Sequence, residues 1–307
     1  MQDIFADAVR FHPDLTGVIE FPRHELSRSI RGGRVGPLAE FVRRLRTPRY
    51  DIVFDLQGLL RSGVFARLTG AARRVGPADA REGGWIFYTE RHGPGGASHS
   101  VDRMLEVLRG AGVPPIVDTR LYPGEAARAA LARDRELAGR RYAILAPTSR
   151  WPGKRWPIER FASLAPQLLA RGYERVVIVG SRTEREQCEP LLHLAASDPR
   201  VVDRVGSTSI AELMAMIEHA SLVVANDSAV LHMSVGLARP LIALYGPTDT
   251  ATVGPYGRRD DVLQHVQPGE RFDHKDRAHG ESLMRRIEVD EVVSRVDRLL
   301  SHPSPST

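Results

Sequence analysis

Cysteine is almost absent from this chain: Cys188 stands alone among 307 residues. A single thiol excludes an intrachain disulfide framework and a cysteine-rich metal site, and a reducing cytoplasm is the expected home. Long apolar runs are missing too. Nothing approaches the ~20 apolar residues of a membrane span. The opening MQDIFADAVRFHPD lacks the basic-then-apolar pattern of a signal peptide. Aromatic residues make up only 6%, too few for stacking platforms, and no nucleic-acid module is evident, so no nucleic-acid partner is expected. Lysine is the scarcest charge. Of 43 basic residues only Lys154 and Lys275 are lysines, a skew that fits a GC-rich genome and makes each lysine conspicuous.

What remains is ordinary for a soluble globular enzyme: 42% hydrophobic and 26% charged residues, in a chain long enough for two domains. The net charge is +5. It is uneven, because residues 23–49 carry eight arginines against Glu25 and Glu40. Such a patch suits phosphate or carboxylate groups, anionic lipid or nucleic acid; a solvated helix face is the plain alternative.

Hydrophobic patterning places the elements. In the first half, Thr16–Phe21 and Tyr50–Leu56 read as strands, and Leu38–Leu45, Ser62–Thr69 and Val101–Gly112 as helices. Prolines 114, 115 and 123 punctuate the passage to the second half, with a helix over Glu125–Leu137 near the join. There, strands Tyr142–Ala146, Arg175–Val179, Val201–Asp203, Leu222–Ala225 and Leu241–Tyr245 alternate with helices Ile158–Arg171, Glu184–Ala195, Ile210–Ala220 and Ala229–Leu237. This alternation predicts α/β architecture with parallel sheets and right-handed crossovers, and two such units would face each other across a cleft. Helix Val289–Leu300 precedes a Ser/Pro tail, HPSPST, expected to be disordered.

Candidate chemistry gathers after the strand ends of the second half. Pro147-Thr148-Ser149-Arg150 and Lys154 follow the first strand, and hydroxyls with one compact ammonium suit a diphosphate. A surface loop anchored by Trp156 is the competing explanation. After the second strand, Thr183 with Glu186 reads as a capping box, while Glu184 has the carboxylate needed to take both hydroxyls of a ribose. Asn226-Asp227-Ser228 then opens the helix from Ala229, with His232 four residues after Ser228. Free N–H groups of a helix that begins past a parallel strand attract phosphate. An ordinary capped helix explains that segment alone; convergence of three loops is the more specific signal.

These residues resemble the lipopolysaccharide heptosyltransferases, ADP-heptose-dependent enzymes of glycosyltransferase family 9. The resemblance runs from PTSRWPGKRWP through GSRTERE and ANDSAVLHM to YGPTD and GPYG, and in the first half through DLQGLLRS, REGGWIFYTERH and SVDR. It implies a GT-B fold with an acceptor-side domain over 1–138, a donor domain over 139–288 and a terminal helix and tail over 289–307. It further implies donor contacts from Thr148, Ser149, Lys154, Glu184, Asp227, Ser228, Ala229 and His232. Arg61, Arg81 and Arg103 would face an anionic, lipid-linked acceptor of the Kdo type. The expected partner is an ADP-sugar, with no cofactor and no metal, since no Asp-x-Asp occurs. The expected state is a monomer with peripheral contact at the inner membrane. Where many members have Thr-Gly after the aspartate, this chain has Ser228-Ala229, which keeps the hydroxyl and restricts the backbone.

One departure stands beside the match. The family opens with a strand, a glycine-bearing loop with the catalytic aspartate, a helix and a second strand. MQDIFADAVRFHPDL corresponds to the stretch after that unit, so roughly forty residues have no counterpart, by the usual size of a strand–helix–strand unit. No catalytic base is therefore assigned; Asp55, the nearest strand-end carboxylate, belongs to the acceptor motif. The expectation is an upstream start or a truncated relative with reduced or no transfer activity, with an exposed sheet edge and an uncovered apolar face. Three readings follow: a glycosyltransferase, a non-catalytic nucleotide-binding homologue, and another GT-B-like enzyme such as an epimerase. A Rossmann oxidoreductase is not expected, because no G-x-G-x-x-G follows a strand.

Overall fold

The computed structural model describes residues 1–301, so the expected disorder of 302–307 lies outside the described residues. The chain forms two compact units, one of residues 1–6 and 14–118 and the other of residues 7–13 and the chain from 119 onward. Nine strands are described: β1 Ile52–Phe54, β2 Arg73–Pro77, β3 Glu90–His92, β4 Tyr142–Ala146, β5 Arg175–Ile178, β6 Val201–Asp203, β7 Leu222–Asn226, β8 Leu241–Tyr245 and β9 Val262–Gln264. Every ladder between them is parallel.

The second unit is built on a six-stranded sheet in the order β6-β5-β4-β7-β8-β9. Its central strands are apolar without interruption because both faces are covered. Successive side chains point to opposite faces. Leu145, Val224 and Leu244 therefore meet Phe161, Leu164 and Leu168 on one side. Ile144, Val223 and Ala243 meet Met214, Ile217 and Leu231 on the other. Cys188 is buried in the first of these cores; burial, helped by Glu184 and Asp203, pushes its thiol up to about 12. The chain leaves β4 towards β5 and β6, then returns to add β7 on the other side. Strand order reverses there, and the crevice beyond the carboxyl ends of β4 and β7 is where such sheets bind ligands.

The first unit carries a three-stranded sheet, β1-β2-β3, with helices Arg23–Arg31, Gly36–Arg46, Leu60–Leu68 and Ser100–Gly110. Its core is small. Val75, Val107 and Ala111 are buried, with Ile52, Phe54 and Leu56 partly buried against them. A separate aromatic cluster joins Phe21, Phe41 and Phe65, with ring centres 4.8–5.4 Å apart. A recess of about 910 Å³ borders β1 and is lined by these rings.

Several expectations need correction. Residues 16–21 form no strand beyond one bridge between Gln2 and Phe21, since an isolated extended segment has no ladder to join. The helix expected over Glu184–Ala195 is a 3-10 turn, Arg182–Cys188, followed by an α-helix, Glu189–Ser197; Pro190 begins the latter, where its missing N–H costs nothing.

Candidate functional site

Three loops meet at the switch point of the second sheet. The first leaves β4 at Pro147 and carries Thr148, Ser149 and Lys154. Thr148 and Ser149 are buried, 7% and 4% exposed, which is unusual for hydroxyls in a loop and requires partners. Thr148 Oγ1 donates to Glu184 Oε2 at 3.2 Å, and Ser149 Oγ to the Asp227 carbonyl at 3.2 Å. Lys154 Nζ donates to Asp227 Oδ2 at 2.6 Å. Both side chains of this pair are largely buried, so water screens their charges far less than at a surface. Thr248, on the loop after β8, donates to the same oxygen at 2.8 Å.

The second loop, after β5, brings Glu184. Its Oε2 accepts from the Ser181 N–H at 3.0 Å and the Ser181 hydroxyl at 2.7 Å. The capping box is thus Ser181 with Glu184, not Thr183 with Glu186, because the turn starts at Arg182 and makes Ser181 its N-cap. Thr148 donates to the same oxygen, so the other oxygen of Glu184 takes no part in these bonds.

The third loop, after β7, carries Asp227 and Ser228 into helix Ala229–Gly236. Ser228 occupies the N-cap position, yet its hydroxyl makes no cap bond. Its Oγ is buried without a hydrogen-bond partner, a costly state unless a ligand or water supplies one. Ala229 and His232 are exposed on this helix. The six residues Thr148, Ser149, Lys154, Glu184, Asp227 and Ser228 therefore form one constellation, with Ala229 and His232 on the adjoining helix.

Sequence reading missed four supports. Asn226, fully buried, donates to the Pro147 carbonyl at 2.6 Å and accepts from the Trp156 N–H at 3.1 Å. It ties both ends of the Lys154 loop to the end of β7. Its signal was the register of LVVAN, which puts a polar residue at the last position of a buried strand. Arg155 donates to the Ser149 carbonyl at 2.8 Å; burial lowers its pKa, against the pull of Glu184. Thr248 has been described, and Gln264 donates to the carbonyls of Gly246 and Thr248 at 2.8 Å each, fixing the loop after β8. Trp156 is buried and donates to the Ile287 carbonyl at 2.8 Å, so the core-anchor explanation of this loop holds together with its polar constellation. A Cβ on Gly280 would lie 2.5 Å from the Gly153 carbonyl oxygen, so the loop packs closely onto helix Arg277–Arg285.

In the first unit, Arg81 and Arg103 line one recess of about 240 Å³ at the carboxyl ends of the strands, with Gln57, Gly58, Asp79 and Ser100. Arg103 is ion-paired with Asp79. Arg61 is not with them: it lines the recess beside β1, its guanidinium 5.8 Å from the centre of the Phe21 ring. Asp55 is buried and accepts from the N–H groups of Gln57 and Gly58 at 3.0 and 3.2 Å and from Tyr88 Oη at 2.6 Å. Burial and then Asp55 raise the Tyr88 pKa. Asp55 thus shapes the Gln57–Gly58 turn, where Gly58 has φ +67°.

Comparison with known proteins places this arrangement. Lipopolysaccharide heptosyltransferase 3 of Escherichia coli is 26% identical over 279 residues, covering 89% of this chain and 82% of the relative. Lipopolysaccharide heptosyltransferase 1 of Pseudomonas aeruginosa is 29% identical over 273 residues, covering 84% and 72%. Among solved structures, the E. coli heptosyltransferase WaaC with ADP superposes with a TM-score of 0.74 at 22% identity, covering 97% of this chain and 88% of that one. E. coli ADP-heptose LPS heptosyltransferase II gives 0.71 at 23%, covering 87% and 81%. These two structures establish the shared α/β fold, of GT-B type. The model of glycosyltransferase family 9 (heptosyltransferase) matches residues 38–280, well over half the chain and spanning both units. The chain belongs to glycosyltransferase family 9, and it is a glycosyltransferase by that membership.

Proposed function

We propose that the chain transfers a heptose from ADP-heptose to a lipopolysaccharide core or related glycan, with inversion and without a metal ion. The observation that carries this reading is the Lys154–Asp227 pair at the switch point, beside the unpartnered Ser228 hydroxyl. A departing diphosphate needs positive charge and donors already in place. Lys154 supplies the ammonium; Ser228, Ser149 and the N-terminus of helix Ala229–Gly236 supply donors. Asp227 holds the Lys154 ammonium in position before a diphosphate arrives. Glu184, buttressed by Ser181 and Thr148, is the ribose contact. The acceptor hydroxyl attacks the anomeric carbon, the bond from that carbon to the diphosphate oxygen breaks, ADP keeps the electron pair, and a base takes the hydroxyl proton. Asp55 is not that base, because both its oxygens are engaged in the Gln57–Gly58 turn and with Tyr88.

Arg81 and Arg103 suit an anionic acceptor sugar, and Arg61 a second anionic contact. A lipid-linked acceptor would place the protein, as a monomer, at the periphery of the inner membrane. Among the described residues no helix is long and apolar enough to cross a membrane.

Calorimetry with ADP tests the donor site. Lys154→Met removes a charge-assisted bond worth about 2–3 kcal/mol, so affinity should fall roughly 30- to 150-fold. Unchanged affinity would remove Lys154 from the diphosphate site. Mass spectrometry of a lipid acceptor incubated with ADP-heptose then tests transfer. Binding without transfer would identify a nucleotide-binding homologue, and alteration of the donor alone an epimerase-like enzyme.

A further inference from the structure

The first unit displays an apolar point that nothing in the donor chemistry uses. Gly84–Phe87 forms a 3-10 turn that sets Trp85 45% and Ile86 64% exposed, with Leu60 beside it at 44%. The exposure is enforced. A Cβ on Gly84 would lie 2.8 Å from the Leu59 carbonyl, and one on Gly63 would lie 2.7 Å from the Gly84 carbonyl. The turn is thus pressed against helix Leu60–Leu68. Arg74 Nε holds its far end, donating to the Phe87 carbonyl at 2.8 Å. The backbone held in this way carries Trp85 and Ile86 at the surface.

Two arginines flank this point. The Arg91 guanidinium lies 5.4 Å from the Trp85 ring centre, and exposed Arg81 precedes the turn; Glu82 is the one acidic residue between Arg81 and Phe87. Arg81 and Leu59 also line the small recess that holds Arg103, so the apolar point borders the anion-suited pocket. A tryptophan with a cation over its ring, next to an exposed isoleucine, matches the boundary between headgroups and acyl chains. There the indole and alkyl groups leave water, while guanidinium groups stay with phosphates.

We infer that the Gly84–Phe87 turn docks the protein on an anionic bilayer, with Trp85, Ile86 and Leu60 inserted at the interface and Arg81 and Arg91 on lipid phosphates. This deepens the reading above, because a lipid-linked acceptor would then rise from the bilayer next to the Arg81–Arg103 recess. It differs from adsorption through the arginines of residues 23–49, which needs no insertion.

Co-sedimentation with phosphatidylcholine vesicles doped with phosphatidylglycerol tests it. The Trp85→Ser/Ile86→Ser protein should partition about tenfold less than the parent, or lower still, with an unchanged thermal unfolding profile by circular dichroism as proof of folding. Ile86→Ser alone should give an intermediate loss. In a Trp151→Phe background, where the other tryptophan, Trp156, is buried, emission should shift to the blue on adding vesicles. Equal partitioning of the double variant and the parent would overturn the inference, as would vesicle binding abolished by salt with no emission shift. These readouts are independent of Lys154: a failed ADP titration would sink the donor reading and leave the docking result standing.

Discussion

The two parallel sheets of this molecule make opposite use of the same architecture. The sheet of the second unit has six strands, and β4, β7 and β8 are buried at every position. The sheet of the first has three strands, and no residue of β1 or β3 is fully buried. In the second unit apolar burial supplies the rigidity, and the polar constellation sits at its rim. In the first, charges take over part of that work: Arg73 pairs with Glu90 at 2.7 Å and donates to the Ala111 carbonyl at 2.7 Å, while His92 shares Glu90 at 2.6 Å. A site for a small, constant group such as a diphosphate gains from the first kind of support. A face that meets a large or variable partner tolerates the second.

Core truncation should show the contrast most strongly. Ile144→Ala in β4 should cost about 2–5 kcal/mol by denaturant unfolding, whereas Ile52→Ala in half-buried β1 should cost about 1 kcal/mol. Equal costs would end the distinction between the sheets. Asn226→Ala sharpens it at the rim, since the change strands a buried N–H at Trp156 and a carbonyl at Pro147. A loss of about 2–3 kcal/mol in stability is expected, accompanied by weaker ADP binding. In a Lys154→Met background the same change should cost less ADP affinity than it does in the parent, because part of its effect runs through Lys154. Acid should separate the units least. Hydrogen bonds from Arg73, then His92, hold Glu90 at about 2, below its ordinary 4.5. Its contribution is therefore present above 4.5 and is lost as pH falls towards 2. Glu90→Gln should flatten that part of the melting profile; an unchanged profile would mean the exposed pair contributes nothing measurable.

The same contrast explains what the sequence disclosed. YAILA, LVVAN and LIALY are apolar runs that burial on both faces demands, so β4, β7 and β8 were legible. So were the loops at their ends, which bring Thr148, Ser149, Lys154, Glu184, Asp227 and Ser228 into one polar constellation. β2 and β3 were not, because RRVGP and ERH owe their strand form to pairing partners and arginine contacts far along the chain. Helix Arg23–Arg31 was given no bounds for a related reason: its composition is dominated by charge, and it was read as a basic patch with a solvated helix face as the alternative. Within the site, the supporting roles of Asn226, Arg155 and Gln264 were not legible because each acts on backbone groups away from its own position, a relation that spacing along one segment does not encode. The shift from Thr183–Glu186 to Ser181–Glu184 is a boundary error of two residues, enough to give Glu184 a second task.

Cys188 has a practical consequence. Its thiol is enclosed by the Phe161–Leu168 side of the core and titrates near 12, so alkylating and nitroxide reagents should pass the native protein by. The chain is then a natural blank for site-directed labelling. A cysteine placed at Ile86 or on the helix that carries His232 would report by itself, and depth in a bilayer or the arrival of a nucleotide could be followed without first stripping the protein of its own thiol.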